Sequence, residues 1–238
     1  MSISEFERIN KETYSTPEAV EIYSREYLWP YEKFFLEKYI KPGDKVLDVG
    51  CGTGRSTRYI AEKTPNVIGI DMSVPFIEQG RRLYPNLDLR VMNASQLNFD
   101  DTSFDVVFFS NQGIDYTEKR IEILKECHRL VKPGGTFAYS SHNSLALPRS
   151  LSAWTRFFRN IYSWRPGYHI RREHHSNGEL YVAHTNVWAE TRVIEKIGFS
   201  VVDILSNVYP RSHKPKIITG LCTRWPLYVC RKNIISYK

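Results

Sequence analysis

The stretch Val46-Leu47-Asp48-Val49-Gly50-Cys51-Gly52-Thr53-Gly54 constrains this chain more than any other. A short, β-branched apolar run is the pattern of a strand buried on both faces. It ends in three alternate glycines, which let the backbone approach a ligand that a Cβ would hold away. In open α/β sheets, ligands lie beyond the carboxyl ends of the strands where the strand order reverses. The loop is therefore expected to be a ligand floor. Its spacing is neither the GxGxxG of a dinucleotide site nor a phosphate loop, since Gly54 is followed by Arg55-Ser56 where a GK[ST] is required.

The rest of the chain alternates between strand and helix patterns, the sign of βαβ units and a mostly parallel sheet. Helical spacing runs from Pro17 to about Ile40 with a kink or break at Pro30, and Lys41-Pro42-Gly43-Asp44 stops it. Strands are expected at 45–50, 66–71, 87–92, 104–110, 135–141, 199–205 and 225–232, with helices at 55–62, 73–84, 118–130 and 188–197. Lys132-Pro133-Gly134-Gly135 reads as the turn into the fifth strand. Between Ser141 and Val187 the alternation lapses. There Trp154, Phe157, Phe158 and Ile161 fall at i, i+3, i+4 and i+7, which predicts an inserted amphipathic helix and loop.

With 238 residues, 42% of them hydrophobic and 25% charged, the composition is that of one soluble globular domain. No window approaches the ~18 apolar residues of a membrane span, and the polar N-terminus is unlike a signal peptide. Cys51, Cys127, Cys222 and Cys230 include no CxxC pair, which speaks against a zinc or redox motif and leads us to expect reduced thiols in a cytoplasm.

The loop resembles the first motif of the class I S-adenosylmethionine-dependent methyltransferases, an acidic residue followed by GxGxG, and the resemblance extends from about Tyr23 to Cys230. It implies a Rossmann-like α/β fold: a seven-stranded, mostly parallel sheet flanked by helices, with an N-terminal helical cap over 1–43 and a substrate lid inserted over 143–186, after strand five. It implies S-adenosyl-L-methionine as cofactor. Gly50 and Gly52 would face its methionyl part, Cys51 and Gly54 of the same loop would belong to the cofactor site, and Asp48 would organise the loop by accepting backbone or amine hydrogen bonds. Asp71, in IGIDMS, sits where the family has an acidic residue accepting both ribose hydroxyls, with Met72 beside it. Asn93-Ala94 stands where the family has Asp-Ala beside adenine, a departure that leaves the amide oxygen as the acceptor. Ser110 and Asn111 follow the fourth strand, and Tyr23 resembles a tyrosine that closes over the cofactor carboxylate.

The loops after strands four and five would overhang the methyl group. They carry Asn111, Gln112, Asp115, Tyr116, His142 and Asn143. His142 is the first choice for a base or substrate orienter, because imidazole titrates in the right range. Asp115 is the second candidate, as a binder of an acceptor amine or hydroxyl, with a helix cap as its structural alternative. His169, His174, His175 and His184 have no convincing ligand spacing, so no metal is expected. The formal net charge is +7, and the segment 143–176, with Arg149, Arg156, Arg159, Arg165, Arg171 and Arg172 against Glu173, supplies +5 of it. Interleaved with aromatics, these arginines suit either a solvated helix face or a lid for an anionic or ring-containing acceptor. The reading is therefore a small-molecule O- or N-methyltransferase that uses no membrane. The alternative is a tRNA or rRNA methyltransferase, against which SNQG stands where a base-methylating enzyme has an NPPY-type tetrapeptide.

Overall fold

A computed structural model of the chain describes residues 5–25, 27–146, 154, 169–175, 178–207 and 223–234. Seven strands form one sheet: β1 Val46–Val49, β2 Val67–Asp71, β3 Asp88–Val91, β4 Phe104–Phe109, β5 Val131–Ser140, β9 Phe199–Leu205 and β10 Leu227–Lys232. The order is β3-β2-β1-β4-β5-β10-β9. β1 pairs in parallel with both β2 and β4, which puts the reversal of strand order at the end of β1. β10 is antiparallel to β5 and to β9.

The apolar runs are continuous because both faces of the sheet are covered. Leu47, Val107, Phe137 and Tyr139 pack into one cluster with Leu124 of α6 (Arg120–Leu130) and Ile194 of α7 (Val187–Ile197). Their neighbours Val46, Val106, Phe108 and Ala138 pack into another, with Phe35 of α3 (Pro30–Tyr39) and Ile60 of α4 (Arg55–Ala61). The side chains alternate between faces, as the twofold repeat of a strand requires. α5 (Val74–Leu83) follows β2.

Pro30 breaks the expected helix: α2 (Pro17–Tyr23) ends before it, and it is the first residue of α3, where its missing N–H costs nothing. The Lys132-Pro133-Gly134-Gly135 turn lies inside β5, where Val131 faces Phe104 and Thr136 faces Val106, so the turn residues bulge from the ladder.

Two regions differ from expectation. A helix, α1 (Glu5–Tyr14), precedes α2 and buries Phe6, Asn10 and Thr13 along one face. Where a loop was expected after the amphipathic helix there is a β-hairpin: β7 (His169–His175) pairs antiparallel with β8 (Gly178–Thr185), and β6 (His142–Asn143) pairs in parallel with β8. Leu180 and Val182 are fully buried, the every-second-residue signal of a strand. Of the expected amphipathic helix only Trp154 is among the described residues; Phe157, Phe158, Ile161, Arg149, Arg156, Arg159 and Arg165 lie outside them, as do the side chains of His169, Arg171, His174 and His175. No helix among the described residues is long and apolar enough to cross a membrane.

Candidate active site

A cavity of about 200 Å³ opens at the carboxyl ends of β1, β2 and β4. Gly50, Cys51 and Gly52 form its floor, and Asp71, Met72, Asn93, Ala94, Ser110, Asn111 and Tyr23 line its walls. The glycines are required for two separate reasons. A Cβ on Gly50 (φ +63°) would sit 2.6 Å from the Phe109 ring, whereas one on Gly52 (φ +58°) would meet nothing nearer than 3.9 Å. The first glycine therefore makes room for packing. The second keeps clear a cradle that a side chain would fill.

Asp71 joins two elements at this floor. Its Oδ2 accepts the Gly52 N–H at 2.9 Å and its Oδ1 the Ser73 N–H at 2.8 Å, which leaves further lone pairs of the carboxylate for a ligand. Burial raises its pKa against the pull of those N–H groups. Cys51 is buried beneath the loop, and burial pushes its thiol well up.

Three sequence assignments need correction. Asp48 is 1% exposed and does not line the cavity; it accepts no backbone hydrogen bond and instead takes those of the Ser56 and Thr57 hydroxyls, both at 2.7 Å, so it organises the loop through the first turn of α4. Burial pushes its carboxyl up to about 6, the two hydroxyls pulling the other way. Gly54 also stays off the cavity: it caps α4 and packs against Leu89. The Asn93 amide oxygen already accepts from the Ser95 N–H and Oγ–H, both at 2.9 Å. The amide NH₂ is thus the group left for a ligand, and it suits a ring-nitrogen acceptor better than an amino group.

The wall opposite the floor was not legible. Glu7, Lys11 and Tyr14 of α1 line the cavity together with Tyr23 and Tyr116. The Tyr14 ring lies 5.5 Å from Tyr23 and 5.3 Å from Tyr116, and burial holds all three phenols above their ordinary pKa. Arg55, directly after the glycine loop, also lines the cavity. It clamps fully buried Glu32 through two bonds of 2.7 and 2.8 Å, while Glu32 caps α3 at the Trp29 N–H and accepts from Ser110. A buried glutamate needs such a partner, and the pairing ties α3 to the loop.

Neither His142 nor Asp115 is among the residues lining the cavity. Asp115 sits in the short 3₁₀ turn Gly113–Tyr116, is fully buried, and does not face an acceptor as expected. It accepts the His142 N–H at 2.6 Å, lies 2.8 Å from His142 Nδ1, and pairs with Arg120, which also pairs with buried Glu190. Tyr139 donates to Glu190 as well. His142 packs edge-on against Tyr116, a cavity-lining residue, at 6.1 Å. Gln112 is buried against Ser140 and Tyr31, and the Asn143 amide donates to the Thr223 carbonyl. His142 lies beside His184, 5.1 Å between ring centroids, and His184 pairs with Glu173. Among the described residues, no group of three metal-ligating side chains forms.

Residues 46–135 match a family described as "Methyltransferase domain". Residues 46–135 therefore form a methyltransferase domain. The chain is 35% identical over 103 residues to a probable S-adenosylmethionine-dependent methyltransferase of Mycolicibacterium smegmatis, covering 43% of this chain and 40% of the relative. It is 34% identical over 128 residues to the demethylmenaquinone methyltransferase of Lysinibacillus sphaericus, covering 51% of this chain and 54% of the relative. The chain thus spans about half the length of these curated relatives. In fold it is similar to the Burkholderia thailandensis 1,6-didemethyltoxoflavin-N1-methyltransferase, solved with 1,6-didemethyltoxoflavin and S-adenosylhomocysteine: TM-score 0.65, 16% identity, 98% of this chain and 93% of that one.

Proposed function

We propose that the chain transfers a methyl group from S-adenosylmethionine to an oxygen or nitrogen of a small molecule. The observation that supports this choice of acceptor is the roof: Glu7, Lys11 and Tyr14 of α1 line the cavity from above, an enclosure that suits a metabolite-sized acceptor better than a folded RNA. The names of the demethylmenaquinone and didemethyltoxoflavin enzymes, both for small acceptors, support the same reading.

The residues present suit this cofactor. Gly52 keeps a cradle clear, Asp71 offers a carboxylate to two ribose hydroxyls, and Asn93 and Ala94 stand where adenine would lie. When bound, S-adenosylmethionine supplies an electrophilic methyl carbon on its sulfonium. The protein then has to align the acceptor and exclude water, and well-oriented systems gain ~7–11 kcal/mol that way. Tyr14, Tyr23 and Tyr116 form the dry wall.

His142 is the base in this reading. Asp115 accepts at Nδ1 and so fixes the ring and its tautomer, while Nε2, without a partner among the described residues, would take the proton of an acceptor hydroxyl or amine that reaches past Tyr116, which stands between His142 and the cavity. Asp115 acts as a positioning residue through His142. The test is to incubate purified protein with methyl-labelled cofactor and, separately, a metabolite extract and bulk RNA. Label in an extracted small molecule is the expected outcome. Label in RNA, with RNA affinity that falls steeply with salt, would replace this reading by RNA methylation.

A further inference from the structure

α1 covers the cavity, yet its buried face is poor in apolar groups: Phe6 is its buried apolar residue, and Asn10 and Thr13 are its other buried positions. Phe6 on Tyr181 and Tyr14 on Tyr23, Phe76 and Tyr116 supply aromatic packing, and the polar contacts fix where the helix docks. Asn10 is 3% exposed and spends its amide on two other elements. Its Oδ1 accepts the Tyr181 N–H at 2.7 Å and its Nδ2 donates to the Tyr181 carbonyl at 2.7 Å, the exchange a neighbouring strand would make with β8 where the short β6, paired only with His184 and Thr185, does not reach. The same Nδ2 donates to the Tyr116 carbonyl at 3.0 Å, in the turn after β4. Thr13 adds one bond from the same helix to the hairpin, Oγ1 to the Glu179 carbonyl at 2.8 Å, and Phe6 stacks on Tyr181 with centroids 5.5 Å apart.

We propose that Asn10 is a positioning residue that latches α1 across the cofactor cavity. Its amide joins the cover, the hairpin edge and the Tyr116 turn, so the cover lifts only when all three of its bonds break. Cofactor and its demethylated product enter and leave through that opening. Asn10 also lines the cavity, as do Lys11 and Tyr14 of the same helix and Tyr116, whose carbonyl it holds. The latch is therefore continuous with the wall that contacts the ligand, and its state is felt at Tyr116, which packs on His142. This inference rests on the cofactor assignment made above.

The test is the dissociation rate of S-adenosylhomocysteine, measured by stopped-flow displacement, together with hydrogen exchange over residues 5–14. Binding to the unmodified protein is measured first by calorimetry; its absence there overturns the functional reading itself. With binding present, Asn10→Ala removes two donors and one acceptor, and should speed release by tenfold or more while α1 exchanges faster. Thr13→Val loosens the same helix without touching Tyr116, and should change release less than threefold. If Asn10→Ala does not fold, Asn10→Ser retains one acceptor for Tyr181 and reads the same rate. Release within twofold of the unmodified rate in the Asn10 variant, whatever its melting temperature, overturns the latch. So does equal acceleration by Thr13→Val, which would make general docking of α1 the gate.

Discussion

Gly52 reaches Asp71 across 19 positions of sequence, whereas Asn10 reaches Tyr181 across 171. The two bonds stand on opposite sides of one cavity. The floor is backbone, laid down by consecutive strands and the loops that leave them. The roof and the acceptor side are side-chain networks: Asn10 with Tyr116 and Tyr181, and Asp115 with Arg120, Glu190, Ser141 and His142. A floor made of backbone serves any chain that keeps the glycines. A roof made of buried polar side chains depends on each member having its partner.

Five substitutions break or sharpen that contrast. Replacing Arg120 by Met leaves Asp115 and Glu190 buried without their cation, and should cost roughly 3–5 kcal/mol in urea unfolding. A loss under ~1 kcal/mol would show that the acceptor side does not depend on its network.

The floor makes a pH prediction. Asp48 has a folded pKa of about 6, pushed there by burial, above the ordinary carboxylate value of 3.8. The native state therefore holds a proton that the unfolded chain has lost between pH 4 and 6. Stability from this group is full below pH 4 and declines as pH rises through 6, by on the order of 3 kcal/mol. In Asp48→Asn the decline over that interval should vanish; an unchanged slope in thermal melts would assign it elsewhere.

On the acceptor side, His142→Ala should lower kcat on the order of a hundredfold if the imidazole moves the acceptor's proton. Asp115→Asn should shift the pH profile of kcat in a way that a merely structural role would not. A full rate at saturating acceptor in His142→Ala would make the histidine a packing residue. The smallest effect is expected from Asp71→Ala, which should weaken S-adenosylhomocysteine binding between about ten- and a hundredfold through loss of charge-assisted bonds. Unaltered calorimetric affinity would remove the ribose assignment.

The contrast also separates what could be read from the chain and what could not. Val46 to Gly54 showed its role in nine residues, since a strand buried on both faces and a glycine loop are each local patterns. Phe199–Leu205 was placed to the residue for the same reason. α1 escaped because its buried face mixes Phe6 with Asn10 and Thr13, and no apolar stripe marks it. The hairpin was masked differently: Leu180 and Val182 do alternate, but the neighbouring aromatics at helical spacing drew the reading away. Asp48 and Asn93 stand out in the sequence, yet their hydrogen-bond partners, Ser56, Thr57 and Ser95, are chosen by side-chain direction, which spacing does not report. Glu32 and Arg55 lie 23 positions apart and carry no signal until the fold buries the glutamate and leaves the arginine as its counter-charge.

By itself, then, the order of residues determined the strand succession, the glycine floor and the carboxylate beside it, because backbone periodicity and missing side chains act over a few positions. Only the tertiary structure decided that α1 roofs the cavity, that 169–185 contains a hairpin, and that Asp115 serves His142 and Arg120. Those outcomes depend on which buried polar groups find partners across a hundred or more residues, and that is a property of packing.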